Sequence, residues 1–195
     1  MTIHTFVCGD LDENCYIVDV GQGRTVVIDP GADGKAIYDE AMRYGTSVDA
    51  ILLTHGHFDH IGGLSVLHRL AGADVYVHSD DLPMLTDTRL NLSLDLAESE
   101  ITAPVPVTAL SGGEELTFGD TAFTVLHTPG HTPGCVCYVA GDVVFTGDTV
   151  FSIGYGRTDF PGSSFLQLRN SIRLLKNTIV GKTIYPGHGG TKIFT

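Results

Sequence analysis

Positive charge is scarce in this sequence: 11 Lys and Arg stand against 23 Asp and Glu, for a formal net charge of −12 at pH 7. Affinity for nucleic acid comes largely from cations that neutralise phosphates, so a surface devoted to a nucleic-acid backbone is excluded. Long apolar runs are also missing. No stretch of about 18 apolar residues occurs, which excludes a membrane-spanning helix and a membrane partner. The opening Met1-Thr2-Ile3-His4-Thr5-Phe6 has no basic segment leading into an apolar one, so no secretory leader is expected and the location is read as cytoplasmic. The four cysteines, Cys8, Cys15, Cys135 and Cys137, form neither a C-x-x-C pair nor a secreted framework. Reduced, buried thiols are expected, with Cys135 and Cys137 on one face of a strand.

Histidine, by contrast, is concentrated. Thr54-His55-Gly56-His57-Phe58-Asp59-His60-Ile61-Gly62-Gly63 packs three imidazoles and a carboxylate into six positions. It follows the apolar run Ala50-Ile51-Leu52-Leu53, which reads as a buried strand, and it leads into 61–70, where apolar residues recur at helical spacing. The cluster therefore sits on a strand-to-helix loop. His55 and His57 project to the same side of an extended chain, whereas Asp59 and His60 diverge. Neutral imidazole suits zinc and similar ions, and a carboxylate adds the charge a second cation requires. The bland alternative, a histidine-rich turn held by hydrogen bonds, would crowd ionisable groups with nothing to neutralise them.

With 195 residues and 43% hydrophobic composition, residues 1–195 fit one domain with a sizeable core. Strands are expected at 3–7, 14–20 and 24–28, with Gly21-Gln22-Gly23 as a hairpin turn. Helical spacing follows over 33–44. After the cluster come a strand at 74–78, a short helix at 79–85 with Ser79 as its N-cap, and an irregular excursion over 87–106 that helps wall a pocket. Strands are expected again at 105–110, 115–118, 122–127, 136–140 and 143–146, with Gly119-Asp120 and Gly141-Asp142 as turns. A helix over 163–177 and a strand at 183–185 close the chain. This order suggests two β-sheets packed together with helices outside. Asp29, at the end of a strand, reads equally as a partner orienting a metal-bound histidine and as a turn cap. His4, His68 and His78 stand alone and are read as ordinary surface or core histidines.

Three further stretches put metal-capable groups at strand ends: Thr128-Pro129-Gly130-His131, Gly147-Asp148 and Pro186-Gly187-His188-Gly189. Together with the first cluster they supply five histidines and two aspartates, enough for two metals sharing one bridging carboxylate. With these motifs the chain resembles metallo-β-lactamase-fold hydrolases of the glyoxalase II (hydroxyacylglutathione hydrolase) type, and the resemblance spans essentially the whole chain. It implies an α+β fold, a four-layer αββα sandwich of two mixed β-sheets with the metals at one edge. It implies His55, His57 and His131 on one ion, Asp59, His60 and His188 on the other, and Asp148 bridging. The implied cofactors are two divalent ions, Zn2+ by default with Fe or Mn as alternatives. β-Lactamases of the most familiar subclass lack a histidine where His60 stands, so antibiotic hydrolysis is disfavoured.

What the resemblance implies chemically is attack by a metal-bridging hydroxide on a thioester such as S-lactoylglutathione, with Asp59 and Asp148 in catalytic positions. The substrate is a small molecule; oligomeric state is not legible. Long glyoxalase II enzymes carry a helical glutathione-binding domain after the last histidine motif, and here only seven residues follow His188. That domain is expected to be absent. The loop Gly154-Tyr155-Gly156-Arg157-Thr158-Asp159 resembles one in short, single-domain relatives: Tyr155 and Arg157 are candidate substrate contacts, against the alternative that Arg157 pairs with Asp159 to brace the loop. Two competing functions stand beside thioester hydrolysis, a mononuclear iron persulfide dioxygenase and a non-catalytic metal staple. The second is disfavoured by a carboxylate-rich, loop-built site, since structural zinc sites are closed Cys/His sets. Hydrolysis of another ester or phosphoester is the remaining variant.

Overall fold

A computed structural model describes residues 1–195. The chain lays down β1 (Thr2–Cys8), β2 (Glu13–Gly21) and β3 (Arg24–Ile28) as an antiparallel meander. β4 (Ser47–Leu52), β5 (Asp74–His78) and β6 (Thr108–Leu110) then add in parallel. Parallel neighbours need crossovers, and α1 (Gly34–Tyr44) and α3 (Leu64–Ala71) are among those that supply them. The second sheet runs β7 (Glu115–Phe118), β8 (Thr121–His127), β9 (Val136–Ala140), β10 (Val143–Gly147), β11 (Thr183–Pro186) and β12 (Lys192–Ile193). Only β10 and β11 pair in parallel there, across α5 (Phe165–Thr178). Both sheets are mixed and six-stranded.

Alternating side chains sort the core into three layers of contact. Val18, Val26, Ile28 and Leu52 of the first sheet meet Phe123, Val125, Tyr138 and Phe145 of the second. The opposite face of the first sheet, through Ile17, Val27, Ile51 and Val75, packs on Ile37 of α1 and on Leu64 and Leu67 of α3. Cys137, Val144 and Ile184 of the second sheet pack on Leu175 of α5 and on Ile179. This is the four-layer αββα sandwich. No helix is long and apolar enough to cross a membrane.

Several expected boundaries move, each for a physical reason. The helix over 61–70 is two helices, α2 (Phe58–Ile61) and α3, interrupted at Gly62-Gly63. A Cβ at Gly62 would collide with the Gly31 carbonyl, and Gly63 N donates to Pro30 O at 2.8 Å. Close approach of the β3 exit to this turn decides the break, which apolar periodicity cannot sense. Residues 79–85 form a 3-10 helix capped by His78, whose Nδ1 accepts from Asp80 N at 3.2 Å, not by Ser79. The strand expected over 105–110 shrinks to β6, where it pairs with β5. The excursion over 87–106 contains one helical turn, α4 (Ser93–Leu96), and its Asn91 side chain donates to the carbonyls of Met84 and Ile101. Cys135 lies just before β9, so it does not share a strand face with Cys137.

Candidate metal centre

All seven sequence-derived ligands converge at one end of the two sheets. His55 and His57 leave the β4–α2 loop, Asp59 and His60 the short α2 itself, His131 the β8–β9 loop, Asp148 the end of β10 and His188 the end of β11. Glycine makes this convergence possible. Gly147, at φ 47, turns the chain sharply as β10 ends and aims Asp148 inward. A Cβ at Gly187 would meet Asp148 Oδ1 and the His60 ring, so only glycine admits the β11 end this close.

One donor atom from each of His55, His57 and His131 lies within 4.8 Å of the others, and so do donors from Asp59, His60 and His188. The carboxylate contacts then link the sets. His188 Nε2 is 3.3 Å and His60 Nε2 3.8 Å from Asp59 Oδ2, while Asp148 Oδ1 is 3.5 Å from His60 Nε2 and its Oδ2 3.5 Å from His131 Nε2. Two atoms each bound about 2.1 Å from one tetrahedral ion sit roughly 3.4 Å apart. These separations fit shared ions better than direct hydrogen bonds, and Asp148 reaches both sets.

Protonation supports this. His55 Nδ1 faces Thr54 Oγ1 at 3.1 Å, His60 Nδ1 faces Asp29 Oδ2 at 3.0 Å, His131 Nδ1 faces Arg157 O at 2.8 Å and His188 Nδ1 faces Leu11 O at 3.0 Å. Thr54 donates its own hydroxyl to Asp29 Oδ2, so its oxygen accepts from His55. Four imidazoles thus have a partner for a proton on the outer nitrogen and turn Nε2 inward, the orientation metal-bound histidines take. His57 is the exception, its Nδ1 lying 2.9 Å from His131 Nε2. His55 Nε2, His60 Nε2 and Asp148 Oδ1 are buried without a hydrogen-bond partner, and so is the outer His57 Nε2. Buried polar atoms are rarely left unpaired. Divalent ions satisfy the inward-facing three, so this donor set fits a two-metal centre.

The two triads differ electrostatically. Burial, reinforced by neighbouring histidines, holds His55 well below its ordinary pKa and lowers His57 to about 3. At His60 burial acts the same way, but Asp59, Asp29 and Asp148 outweigh it and raise its pKa well above the ordinary value. His188 is raised, its hydrogen bond to Asp59 and the charge of Asp148 overcoming burial. Burial would raise both aspartates, yet the histidines around Asp59 and Asp148 hold both below the usual carboxylate range.

Supporting residues that the sequence reading passed over are of two kinds. Asp81 is fully buried and accepts from Gly56 N at 3.1 Å, Thr132 Oγ1 at 2.7 Å and Gly134 N at 2.7 Å, lashing two ligand loops together. Asn14 Nδ2 donates to Pro186 O and Gly189 O, holding the His188 turn. Neither has a local motif, because each acts on chain tens of residues away or more. His78 and His127 also meet, their rings stacked 3.9 Å apart and nearly parallel at 16°; one ion cannot lie in both ring planes there. Tyr155 and Arg157 both border an open pocket of about 530 Å³ above the ligands, with Leu11, Leu92, Leu96, Phe151 and Phe160 as apolar walls. Arg157 holds Asp159 through two bonds of 2.9 and 2.7 Å and lies over the Phe160 ring at 4.3 Å.

Such a sandwich with this ligand array defines a class. The family model described as "Metallo-beta-lactamase superfamily" matches residues 8–188, and the chain belongs to that superfamily of metallo-hydrolases. It is 36% identical over 184 residues to the probable metallo-hydrolase YqgX of Bacillus subtilis, covering 93% of this chain and 87% of YqgX. It is 30% identical over 196 residues to the hydroxyacylglutathione hydrolase GloC of Haemophilus influenzae, covering 97% of this chain and 91% of GloC. Among solved structures it is similar to BLEG-1, a B3 metallo-β-lactamase, with a TM-score of 0.90, 34% identity, and coverage of 98% and 93% of the two chains.

Proposed function

We propose that this protein is a two-metal thioester hydrolase, with S-lactoylglutathione as the reference substrate. The observation that carries this reading is the pair of ligand triads joined by Asp148 beneath an apolar-walled pocket whose sole cation, Arg157, is tied to Asp159. GloC's name points to the same chemistry. Zinc is the default metal, with iron or manganese as alternatives. Bound there, two divalent ions lower the pKa of a water to about 7 and stabilise a developing oxyanion.

The chain's own residues do the rest. Leu11, Leu96 and Phe151 wall the pocket against water and hold the arms of the substrate over the ligands. Asp59, kept ionised by His60 and His188, gives Oδ2 to the ligand set it shares with them, which leaves its other carboxylate oxygen to accept a proton. No further acid is demanded, since a thiolate leaves without full protonation. Tyr155 is assigned to the pocket mouth. Arg157 is assigned to a substrate carboxylate, which must displace Asp159 to reach it.

The test is hydrolysis of S-lactoylglutathione and of a small thioester without glutathione by the metal-loaded protein. Cleavage of both, lost in Asp148→Ala, is expected. A protein that carries two ions yet cleaves neither thioester would overturn the reading, and ready turnover of a β-lactam instead would move it towards BLEG-1.

A further inference from the structure

Charge in this acidic chain is segregated. From Phe160 to Thr195 there are five cations, Arg169, Arg173, Lys176, Lys182 and Lys192, and no Asp or Glu, so every carboxylate side chain lies earlier. Arg169, Arg173 and Lys176 fall at i, i+4 and i+7 of α5 and so share one face. All three are exposed, and none forms an ion pair or a side-chain hydrogen bond; Arg69 and Arg89 are likewise unpaired and exposed, but these three share one helix face. Three unneutralised cations repel one another. An external polyanion would relieve that repulsion.

These cations line a groove of about 230 Å³ with Tyr155, Phe165 and Ile172. Tyr155 also borders the pocket above the metal centre, so groove and pocket are neighbours across one side chain. The Tyr155 and Phe165 rings lie 6.4 Å apart at the groove mouth. An anion here lies beside exposed aromatic faces, next to the pocket that would hold the reacting carbonyl.

We propose that the α5 groove binds the phosphates of a coenzyme A thioester whose acyl end occupies the metal pocket. This rests on the thioester reading and names its carrier. Glutathione brings two carboxylates and an ammonium, net −1, and leaves three cations under-used. Coenzyme A carries a pyrophosphate and a 3′-phosphate at the far end of a flexible arm from its sulfur, with a purine to stack on an aromatic ring. Concavity favours this small polyanion over a flat protein partner. The reaction is hydrolysis: water forms the new C–O bond, the C–S bond breaks, sulfur leaves with the electron pair, and the proton from water ends on the thiolate.

The experiment uses the metal-loaded full chain and the variant Arg169→Gln/Arg173→Gln/Lys176→Gln, whose changes are all at the surface. Two measurements are made: binding of 3′-phosphoadenosine 5′-diphosphate, which has no thioester, and kcat/KM for acetyl-coenzyme A against S-acetyl-N-acetylcysteamine. We expect the nucleotide to bind, with affinity falling at least about tenfold in the variant and also falling with added salt. Coenzyme A thioester is expected to be preferred by on the order of tenfold or more, through KM, with the preference lost in the variant and kcat for the small thioester unchanged. Equal kcat/KM for the two thioesters with no nucleotide binding overturns the groove and leaves the hydrolase reading intact. Nucleotide binding without turnover of either thioester overturns the hydrolase reading and upholds an anion site.

Discussion

Asp29 sits in the left-handed region at φ 51 with both carboxylate oxygens engaged, Oδ1 accepting from Thr54 N and Oδ2 from Thr54 Oγ1 and His60 Nδ1. Through Thr54 it also reaches His55, so one carboxylate orients a histidine of each triad. Asp29→Ala is expected to weaken the Asp59/His60/His188 ion by about 10–100-fold, the usual scale for losing such a partner, and the other ion less. Chelator competition measures this, and equal or negligible loss at both would refute the orienting role.

The pKa directions set a second prediction. His60 and His188 are raised, so they keep a proton to higher pH than an ordinary imidazole and a metal competes with it there; His55 and His57 are lowered, so a metal meets that competition only at lower pH. As pH falls, protons reclaim the raised pair first. The Asp59/His60/His188 ion should therefore leave at higher pH than the three-histidine ion, in two separated steps of a metal-content titration. A single step would contradict it. Cys8 adds a third: it borders a cavity of about 240 Å³, and the neighbouring Cys15 thiol is the main influence lowering its pKa to about 7, whereas burial raises the other three thiols. A small thiol reagent should modify Cys8 first, at a rate rising as pH passes through about 7. The seven candidate ligands, which the structure brings together, stood out in the sequence because histidine and aspartate at strand ends are chemically conspicuous. Asp81 was not, since its three partners are Gly56, Thr132 and Gly134, residues with no metal chemistry of their own.

At the scale of elements, the ligand loops are held by long-range polar ties more than by their own secondary structure. Asp81→Ala removes three hydrogen bonds and leaves their donors buried, at a cost of about 2–4 kcal/mol. Urea unfolding should show the loss, and a change under about 0.5 kcal/mol would mean the loops hold themselves. Most strands and the α1 and α5 helices were readable because their apolar period matches their burial. The helix break at Gly62-Gly63 and the His78 cap were not, because tertiary contacts set both. At Arg157 the bracing alternative describes the side chain as it stands, paired with Asp159, while its assignment to substrate remains a matter for Arg157→Ala kinetics.

For the whole molecule, elemental analysis should find close to two divalent ions per chain, and Asp148→Ala should lose both, since among the seven candidate ligands Asp148 is the carboxylate that contacts a histidine of each set. One ion, unaffected by His188→Ala, would sink the two-metal centre. Ions that bind only the folded form also raise its stability by mass action, so chelation should lower the thermal midpoint.

The ligands come from both sheets, four beyond the end of β4 and three from the second sheet's loops and strand ends. Neither half completes a metal site before the two have docked. In kinetic language, if the sheets dock late, the ions should be absent from the transition state for folding and present only in the native basin. Adding metal should then leave the refolding rate nearly unchanged and slow unfolding in proportion to the stability gained.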